Sequence, residues 1–449
     1  MKNKIKYIIN LAIGIVMIIA TFTSCINSQT ESEKDPIFNW MKNNSYEIET
    51  LELSDQQQDL QQLEQIVGNA HVVCLGESRH DIREQFQLKH RFIKYLVEEL
   101  GFTTFILEAS LPYSELINGF IEKGEGNLDE IMANMPGWFL WDTQEMSDII
   151  SWMRAYNINP ENENKLQFYG IDIVAPEYGL NSIFKYLKKV DAVDYKRFET
   201  LNLARELIVD RHWQTTFQRV AALPTVDKEV LRRNYSNLHK HILQNQFDFI
   251  AQSSQIEYDW ILILAYCAQE ANRMFTAKTR MDMGLIRDSA MAENTLWIKR
   301  NNPKNDKTII WAHNVHITKG EFKMTGESAS IKGMGYILGQ ELKDDLVSIG
   351  ASFNHGEFEE WDQSFPPAEK TMLDGTLAGL GMKFSLLDLK GETNDAEVLN
   401  WLKTDKVIRG QGFEMTFIPV NSFDAIFFIN SISRTIPNQE SLERFREMN

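Results

Sequence analysis

Carboxylates and histidines follow the predicted strands of this chain, and their types and spacing suit acid–base chemistry. Glu77 and His80 lie three residues apart in one polar turn, Glu108 ends a later apolar run, and His313 directly follows another. A neutral imidazole can take a proton from water, and a neighbouring carboxylate orients the ring and stabilises its cation. We therefore expect His80 to act as a general base, with Glu77 or Glu108 as its orienting partner.

The elements around these residues explain why they should meet. The stretch 72–110 reads as a buried strand, a polar turn, an amphipathic helix and a second strand that ends on Glu108. A crossover of this length implies parallel strands, whose carboxyl ends share one edge of a sheet. Ligand sites in open α/β sheets lie just beyond that edge. We expect Glu77, His80 and Glu108 to converge there on two adjacent strands, with His313 on the same edge.

The sequence disfavours a nucleophile supplied by the protein. It contains no Gly-x-Ser-x-Gly elbow of the kind that common α/β serine hydrolases use. Cys74 lies within an apolar strand, where a desolvated thiolate would be unreactive. Water remains as the nucleophile, and a group from His313, Lys89 or Arg287 is expected to hold the developing oxyanion.

A metal site is the second interpretation of the same side chains, and it stays open. The ligands to zinc or manganese would be Glu77, His80, Glu108, His313 and His316. Against this, the Glu-x-x-His pair lies in a turn rather than on a helix, and a His-x-x-His spacing is common by chance. Water activation by His80 would require no cofactor, and a site for a divalent metal is the alternative.

Apolar runs alternate with helical patterns along the chain and predict an α/β fold. Further strands are predicted at 166–171, 308–311, 346–351, 384–389 and 425–430, with an edge strand at 415–420. The predicted strand 166–171 is followed directly by Asp172. Asp172 therefore has the same position at the end of its strand as Glu108 has at the end of the earlier one. From about residue 191 to 300 the pattern is helical, which predicts an inserted helical subdomain. The expected fold is a mostly parallel sheet flanked by helices, in one domain of residues 39–449.

Two segments outside this alternation have their own predictions. Residues 39–70 read as a helical lead-in to the first strand. The stretch MPGWFLWDT, residues 135–143, reads as a loop whose aromatic side chains either line a pocket for an apolar ligand or pack in the core.

Five blocks of the sequence resemble the erythromycin esterase family of macrolide-hydrolysing enzymes and their relatives. In chain order they are LGESRH from Leu75, FQLKHRFIKYLVEELGF from Phe86 leading to LEAS, FYGIDI from Phe168, RDSAMAEN from Arg287 and WAHNVHI from Trp311. The resemblance implies a hydrolase of esters or macrocyclic lactones. It matches the family's Glu-x-x-His pair to Glu77 and His80, its second-strand glutamate to Glu108 and its later histidine to His313.

The resemblance also bears on residues that spacing leaves undecided. Arg287 and Asn294 share one face of a predicted helix, which by itself is typical of a solvated or salt-bridged surface. The resemblance implies that Arg287 or Asn294 supports the site. Lys89 stands where the best-known esterases have a functional arginine, and a lysine lacks the planar pair of donors that an arginine offers. This departure bears on macrolide specificity more than on hydrolysis.

The composition excludes nucleic acid as a partner. With 46 basic and 63 acidic residues the net charge is -17, and such a chain cannot neutralise phosphates. The expected partner is a small-molecule ester or lactone. Cys74 and Cys267 lie in apolar segments and read as small buried hydrophobes without a disulfide.

The first 25 residues predict an export signal rather than part of the fold. A lysine-rich start precedes an apolar run, and Phe22-Thr23-Ser24-Cys25 resembles a bacterial lipoprotein cleavage box. We expect residues 1–25 to form the signal, Cys25 to become the lipidated N-terminus, and residues 26–38 to form a tether. The protein would then lie in the bacterial cell envelope and contact the membrane through its lipid anchor only. The alternative is an ordinary secreted protein in which Cys25 is incidental.

The alternative to an enzyme is a binding protein that uses the same cleft without catalysis. A lipid-anchored protein that captures a small molecule would retain affinity after His80→Asn, whereas a hydrolase would lose turnover and still bind. The clustered acids and histidines favour the enzyme.

Overall fold

The computed structural model describes residues 35–54, 57–199, 213–301, 307–358, 362–439 and 443. The predicted signal and Cys25 lie outside these residues. Helix α1 begins at Pro36, inside the predicted tether of residues 26–38, because Asp35 caps its first turn by accepting from the backbone N–H groups of Ile37 and Phe38.

A mixed sheet of nine strands forms the centre of the described part of the chain. Its strands are β1 (Ser45–Glu47), β2 (Val72–Leu75), β3 (Phe102–Ser110), β4 (Gln167–Asp172), β5 (Lys307–Trp311), β7 (Leu346–Phe358), β8 (Gln363–Phe365), β9 (Phe384–Asp388) and β12 (Ala425–Ile432). The strand order is β1-β9-β12-β7-β2-β5-β3-β4, and β8 pairs with the end of β7. The six strands from β12 to β4 are parallel to one another, while β9 and β8 run antiparallel to their neighbours. The sheet is therefore mostly parallel, as predicted.

Three further strands form a small antiparallel sheet in the order β10-β11-β6. They are β6 (Phe322–Met324), β10 (Lys406–Arg409) and β11 (Glu414–Phe417). The edge strand predicted at 415–420 belongs to this second sheet and not to the main one.

Helices cover both faces of the main sheet. In chain order they are α1 (Pro36–Asn43), α2 (Gln61–Val67), α3 (Arg83–Glu98), α4 (Ser114–Asn118), α5 (Leu128–Asn134), α6 (Trp138–Trp141), α7 (Gln144–Ile158), α8 (Glu177–Val190), α9 (Ala192–Glu199), α10 (Trp213–Ala221), α11 (Thr225–Gln244), α12 (Gln246–Ala251), α13 (Gln255–Phe275), α14 (Arg280–Asn301), α15 (Asn314–Ile317), α16 (Met334–Leu342), α17 (Leu373–Ala378), α18 (Ala396–Leu402) and α19 (Pro419–Ser422). Within the described parts of 191–300, helices α9 to α14 occur without a strand, as expected for the helical region.

Alternating side chains of the central strands divide the core into two layers. Val73 and Leu75 belong to the same buried apolar cluster as Phe86 of α3 on one face, whereas Val72 and Cys74 belong to the cluster that includes Leu264 of α13 on the other. Successive residues of a strand point to opposite faces, so a strand buried on both sides is apolar throughout. Cys74 and Cys267 are buried and free, as predicted. None of the helices in the described ranges has both the length and the apolar character needed to cross a bilayer.

Three predictions about local structure were wrong. Strands β2 and β3 are not neighbours, because β5 lies between them and pairs with both. The lead-in 39–70 is not one helical segment, because strand β1 pairs with β9 between α1 and α2. The aromatic stretch 135–143 is not a plain loop, because it contains the single helical turn α6.

Candidate active site

Glycine 76 allows the turn after β2 to pass under the start of α15. Asn314 exchanges two hydrogen bonds with the backbone of Ala351, and a Cβ atom at Gly76 would lie 2.3 Å from the Asn314 side-chain oxygen. On the other side of the turn, Gln85 accepts from the Ser78 backbone N–H and donates to its hydroxyl at 2.7 Å. The turn is therefore packed against Asn314 at Gly76 and hydrogen-bonded to Gln85 at Ser78, on either side of Glu77.

Glu77 is fully buried and accepts hydrogen bonds from three different side chains. His80 Nδ1 donates to Oε1, while Lys89 Nζ and Trp311 Nε1 donate to Oε2 at 2.7 and 2.6 Å. Burial by itself would raise the pKa of Glu77, but the charges of Lys89 and His80 outweigh burial and lower it to about 2. Glu77 is thus a carboxylate at neutral pH, and it has to accept the Nδ1 proton of His80.

His80 presents its second ring nitrogen to the cavity. With Nδ1 donating to Glu77, Nε2 has no hydrogen-bond partner among the described residues, and the ring lines the cavity wall. Burial lowers the pKa of His80, but the carboxylates of Glu77 and Glu108 outweigh burial, so the net shift is upward. The geometry is that of an oriented general base whose proton affinity exceeds that of a free histidine.

A β-bulge places Glu108 beside this histidine. Pairing of β3 with β4 shifts between Leu107 and Ser110, so strand β3 has one extra residue where it carries Glu108. Gly170 on β4 permits the bulge, because a Cβ there would lie 2.4 Å from the Ala109 and Ser110 carbonyl oxygens. The strand continues to Ser110 instead of ending on Glu108 as predicted.

Glu108 links strand β3 to the end of β5 and to helix α14. Its Oε2 accepts the backbone N–H of His313 at 2.8 Å, and its Oε1 accepts from Arg287 at 2.7 Å. Arg287 also donates to Asp172 Oδ2 from Nε at 3.0 Å and from a terminal nitrogen at 2.6 Å. Burial works against the charge of Arg287, but Asp172 and Glu108 outweigh it and raise its pKa. Arg287 therefore joins the carboxylates at the ends of β3 and β4.

His316 is a second cation in the same wall. Its Nδ1 contacts Asp288 and its Nε2 lies 3.2 Å from Glu108 Oε1. Burial lowers the pKa of His316, but the Asp288 and Glu108 carboxylates outweigh burial and raise it to about 10. The protonated ring donates to both acids, so its Nε2 and the Arg287 guanidinium, 3.0 Å apart, share Glu108 as a counter-ion.

His313 lines the cavity with its ring, but both of its nitrogens have partners. Its Nε2 lies 2.8 Å from the Ser78 carbonyl oxygen and donates to it, which leaves Nδ1 to accept the Val315 backbone N–H. Burial and the neighbouring charge of His80 lower its pKa to about 3. His313 is therefore a neutral residue that joins the end of β5 to the Glu77–His80 turn.

Two of the predicted supporting residues lie behind the cavity rather than in its wall. Lys89 is fully buried between Glu77 and the ring of Trp311, whose centroid is 3.4 Å from Nζ. Asn294 is also fully buried; it donates to the Ile171 carbonyl oxygen at 2.7 Å and so fixes the end of β4. Lys89 cannot reach an oxyanion in the cavity, whereas Arg287 and Asp172 both line it.

The cavity over these groups has a volume of about 370 Å³, within the usual range for small-molecule sites. The polar lining comprises His80, Glu108, Asp172, Arg287, His313 and His316. The apolar lining comprises Pro136, Leu140, Trp141, Val174, Ala175, Met274, Phe275, Met283, Val315 and Phe413. Leu140 and Trp141 come from the aromatic stretch 135–143, which thus contributes to the pocket.

Three site residues were missed by the sequence analysis. Trp311 donates to Glu77, and Gln411 accepts the His80 backbone N–H at 3.1 Å. The ring of Phe413 lies 5.6 Å from that of His313, centroid to centroid. A buried tryptophan directly before Ala312 and His313 needs a hydrogen-bond acceptor and was a usable signal. Gln411 and Phe413 lie in a turn of the second sheet, and no local pattern connects them with the site.

The ligand set for a metal fits poorly. Glu77, His80 and Glu108 each place one ligand atom within 4.8 Å of the other two. The Glu77 oxygens, however, already accept from His80, Lys89 and Trp311, and both nitrogens of His313 are in use. Arg287 donates to Glu108, and the raised pKa of His316 keeps its ring protonated beside the same carboxylate. A divalent cation would have to displace these donors, since ligand atoms must be free of protons.

Comparison with known proteins identifies similar chains. A family model described as erythromycin esterase matches residues 97–432. An Escherichia coli protein named erythromycin esterase type II is 25% identical over 429 residues, which cover 88% of this chain and 97% of the relative.

Solved structures show the same fold. A Bacillus cereus protein superposes with a TM-score of 0.76 and 25% identity, over 90% of this chain and 98% of that one. A mutant erythromycin esterase in its open conformation superposes with a TM-score of 0.71 and 18% identity, over 88% of this chain and 99% of that one.

Proposed function

Because this chain belongs to the erythromycin esterase family, we propose that it hydrolyses an ester or a macrocyclic lactone with water that His80 activates. The observation that carries the proposal is the orientation of His80: Nδ1 donates to the buried carboxylate of Glu77, and Nε2 is left at the cavity wall. A carboxylate in this position selects the tautomer that can accept a proton at Nε2 and stabilises the cation that results.

The reaction needs one proton acceptor and returns the same proton. His80 Nε2 takes a proton from water as its oxygen bonds to the carbonyl carbon, which gives a tetrahedral oxyanion. The oxyanion collapses, the bond from carbon to the alkoxy oxygen breaks, and the His80 imidazolium donates its proton to that oxygen. The products are a carboxylic acid and an alcohol, joined in one chain when the substrate is a lactone.

The charges around His80 favour this sequence. Glu77 holds the imidazolium by direct contact, while Lys89 neutralises the carboxylate from behind. Arg287 and His316 supply positive charge on the same wall, and charges held in fixed positions stabilise a developing oxyanion without reorganising. The apolar lining of the cavity suits an uncharged ester with a hydrocarbon body, which supports an ester or lactone substrate.

The name of the Escherichia coli relative supports a macrolide among the candidate substrates. The purified protein should therefore be incubated with erythromycin, other macrocyclic lactones and simple esters, and the products examined by mass spectrometry for the addition of one water. We expect one class to gain water with wild-type protein and none with His80→Asn. Tight binding without any product would instead favour the small-molecule binding protein.

We also propose that the enzyme works at the bacterial cell envelope, attached through lipid on Cys25. The proposal rests on the sequence of residues 1–25, with its lysine-rich start, apolar run and cysteine. A hydrolase held there would meet an incoming ester before the ester reached the cell interior.

A further inference from the structure

Gln411 reaches the cavity from the second sheet, in the turn between β10 and β11. The turn is closed by a hydrogen bond of 2.8 Å from the Gly410 backbone N–H to the Phe413 carbonyl oxygen, and Gly412 supplies a backbone φ of +74°. Both Gln411 and Phe413 line the cavity with His80. The hydrogen bond restricts the backbone that carries the side chains of Gln411 and Phe413.

Arg409, the last residue of β10 before this turn, is attached to the main sheet and to helix α17. Asp374 accepts the Arg409 backbone N–H at 2.9 Å, and the Arg409 guanidinium donates to the carbonyl oxygens of Asn354 and Pro366 at 2.7 and 2.8 Å. These contacts fix the strand directly before Gln411. Donors held on fixed elements can act on a transition state without reorganising.

The contact with His80 decides which end of the Gln411 amide faces which way. Its partner is the His80 backbone N–H, 3.1 Å away, and a backbone N–H can only donate. The atom of Gln411 that faces the backbone must therefore be the carbonyl oxygen. The amide nitrogen then points away from this contact, and it has no hydrogen-bond partner among the described residues.

Other donors near His80 are already committed. Lys89 is buried behind Glu77, and His313 donates its Nε2 proton to the Ser78 carbonyl oxygen. Arg287 lies in the wall but donates to Glu108 and Asp172. His316 lies there too, and its two ring nitrogens donate to Asp288 and Glu108. The Gln411 amide differs from these donors. Gln411 lines the cavity next to His80, and both protons of its amide nitrogen are without an acceptor among the described residues.

We propose that Gln411 Nε2 donates a hydrogen bond to the substrate carbonyl oxygen and to the oxyanion that forms when water adds. This inference rests on the proposed hydrolase function and makes the turn of the second sheet part of the catalytic machinery. Removal of one oxyanion donor in a hydrolase costs about 10²- to 10³-fold in kcat.

Two substitutions separate this role from a purely structural one. Gln411→Met removes both the acceptor for the His80 N–H and the proposed donor. Gln411→Glu retains an oxygen that can accept from His80, removes the donor and adds a negative charge that opposes an oxyanion. A loss of kcat therefore supports the donor role only if the uncharged Gln411→Met shows the loss too. Glu414→Met, an exposed side chain at the start of β11, is the matched control. Turnover of the lactone or p-nitrophenyl ester that the wild type cleaves is measured across pH, and the plateau values of kcat are compared.

We expect both Gln411 variants to lose about 10²- to 10³-fold in plateau kcat with KM changed only a few-fold, and Glu414→Met to match the wild type. Plateau values remove the effect of a shifted His80 pKa. Circular dichroism checks folding, and if Gln411→Met unfolds, Gln411→Leu takes its place as the uncharged variant. A Gln411→Glu variant with wild-type plateau kcat overturns this inference alone. A wild-type protein that cleaves none of the panel overturns the proposed function as well.

Discussion

The amine of Lys89 lies 2.7 Å from the carboxylate of Glu77, and neither charged side chain has any exposed surface. The pair lies directly behind His80, so the residue proposed as the general base is held in place by a buried ion pair. A buried charge that loses its partner is strongly unfavourable, because no water can solvate it. Stability and catalysis should therefore both respond to this pair.

Replacement of Lys89 by methionine should reduce the free energy of unfolding by about 3–5 kcal/mol, because the fully buried Glu77 loses its buried lysine counter-ion. Urea unfolding followed by fluorescence measures the loss. Lys94→Met on the same helix is the matched control, since its pair with Glu98 is partly exposed and should contribute less than about 1 kcal/mol. Equal losses in the two variants would contradict the importance of the buried pair.

His80→Asn should lower kcat by about 10²- to 10⁴-fold, the usual contribution of a general base. Substrate affinity should be retained, because the cavity wall is unchanged in shape. Steady-state kinetics and equilibrium binding together test this. His355→Asn, a half-buried histidine on β7 outside the cavity wall, controls for loss of any histidine. Near wild-type turnover by His80→Asn would remove the base assignment.

Turnover should fall as the pH falls, because the base acts only when His80 is neutral. The net upward shift of the His80 pKa places the midpoint above the ordinary histidine value of about 6.5. Glu77→Gln removes an opposite charge, so its weaker activity should persist to lower pH. Profiles of kcat/KM against pH give both midpoints. A midpoint that moves upward in Glu77→Gln would show that Glu77 does not govern His80.

Prolonged dialysis against EDTA or phenanthroline should leave the activity unchanged, because the Glu77 and His313 atoms that could bind a metal are occupied by protein donors. A known zinc hydrolase treated in parallel shows that the chelator works. Inactivation that zinc or manganese reverses would make Glu77, His80 and Glu108 metal ligands.

Lipid should be found on Cys25 of the exported protein. Metabolic labelling with an alkyne fatty acid, followed by cell fractionation, should show label in the membrane fraction, and Cys25→Ser should abolish it. Cys267→Ser is the control, since Cys267 is buried in α13. A mature N-terminus at another residue, or an unlabelled Cys25, would contradict the lipoprotein assignment.

Local patterns were enough to predict the fold class and the meeting of four residues. The runs before Glu77 and His313 and the run that carries Glu108 are strands, and their parallel carboxyl ends bring these residues to one edge. Strand order was not predictable in the same way, because β5 enters between β2 and β3 through pairing distant in sequence. Short-range periodicity carries no information on such pairing.

The parts of the site that were missed also depend on distant contacts. The hydrogen bond from His80 to Gln411 spans 331 residues, and nothing in the short turn around Gln411 distinguishes it from other turns. The helix that carries Lys89 was predicted, but its expected contact with an oxyanion was wrong, because Lys89 lies fully buried behind Glu77. Amphipathic helices usually keep lysine in water, and the acceptor Glu77 explains its burial.

Strand β5 between β2 and β3 also has a consequence for folding. The contact between Trp311 and Glu77 spans 234 residues, so β2 and β3 leave the ribosome long before the strand that joins them. Until then each presents an unpaired backbone edge, which invites association with other chains. Long-range pairing of this kind slows folding, because the closing chain loses entropy before contacts compensate. The edge of the sheet that carries the candidate site is therefore assembled late, and fragments that end before β5 should aggregate instead of forming a partial site.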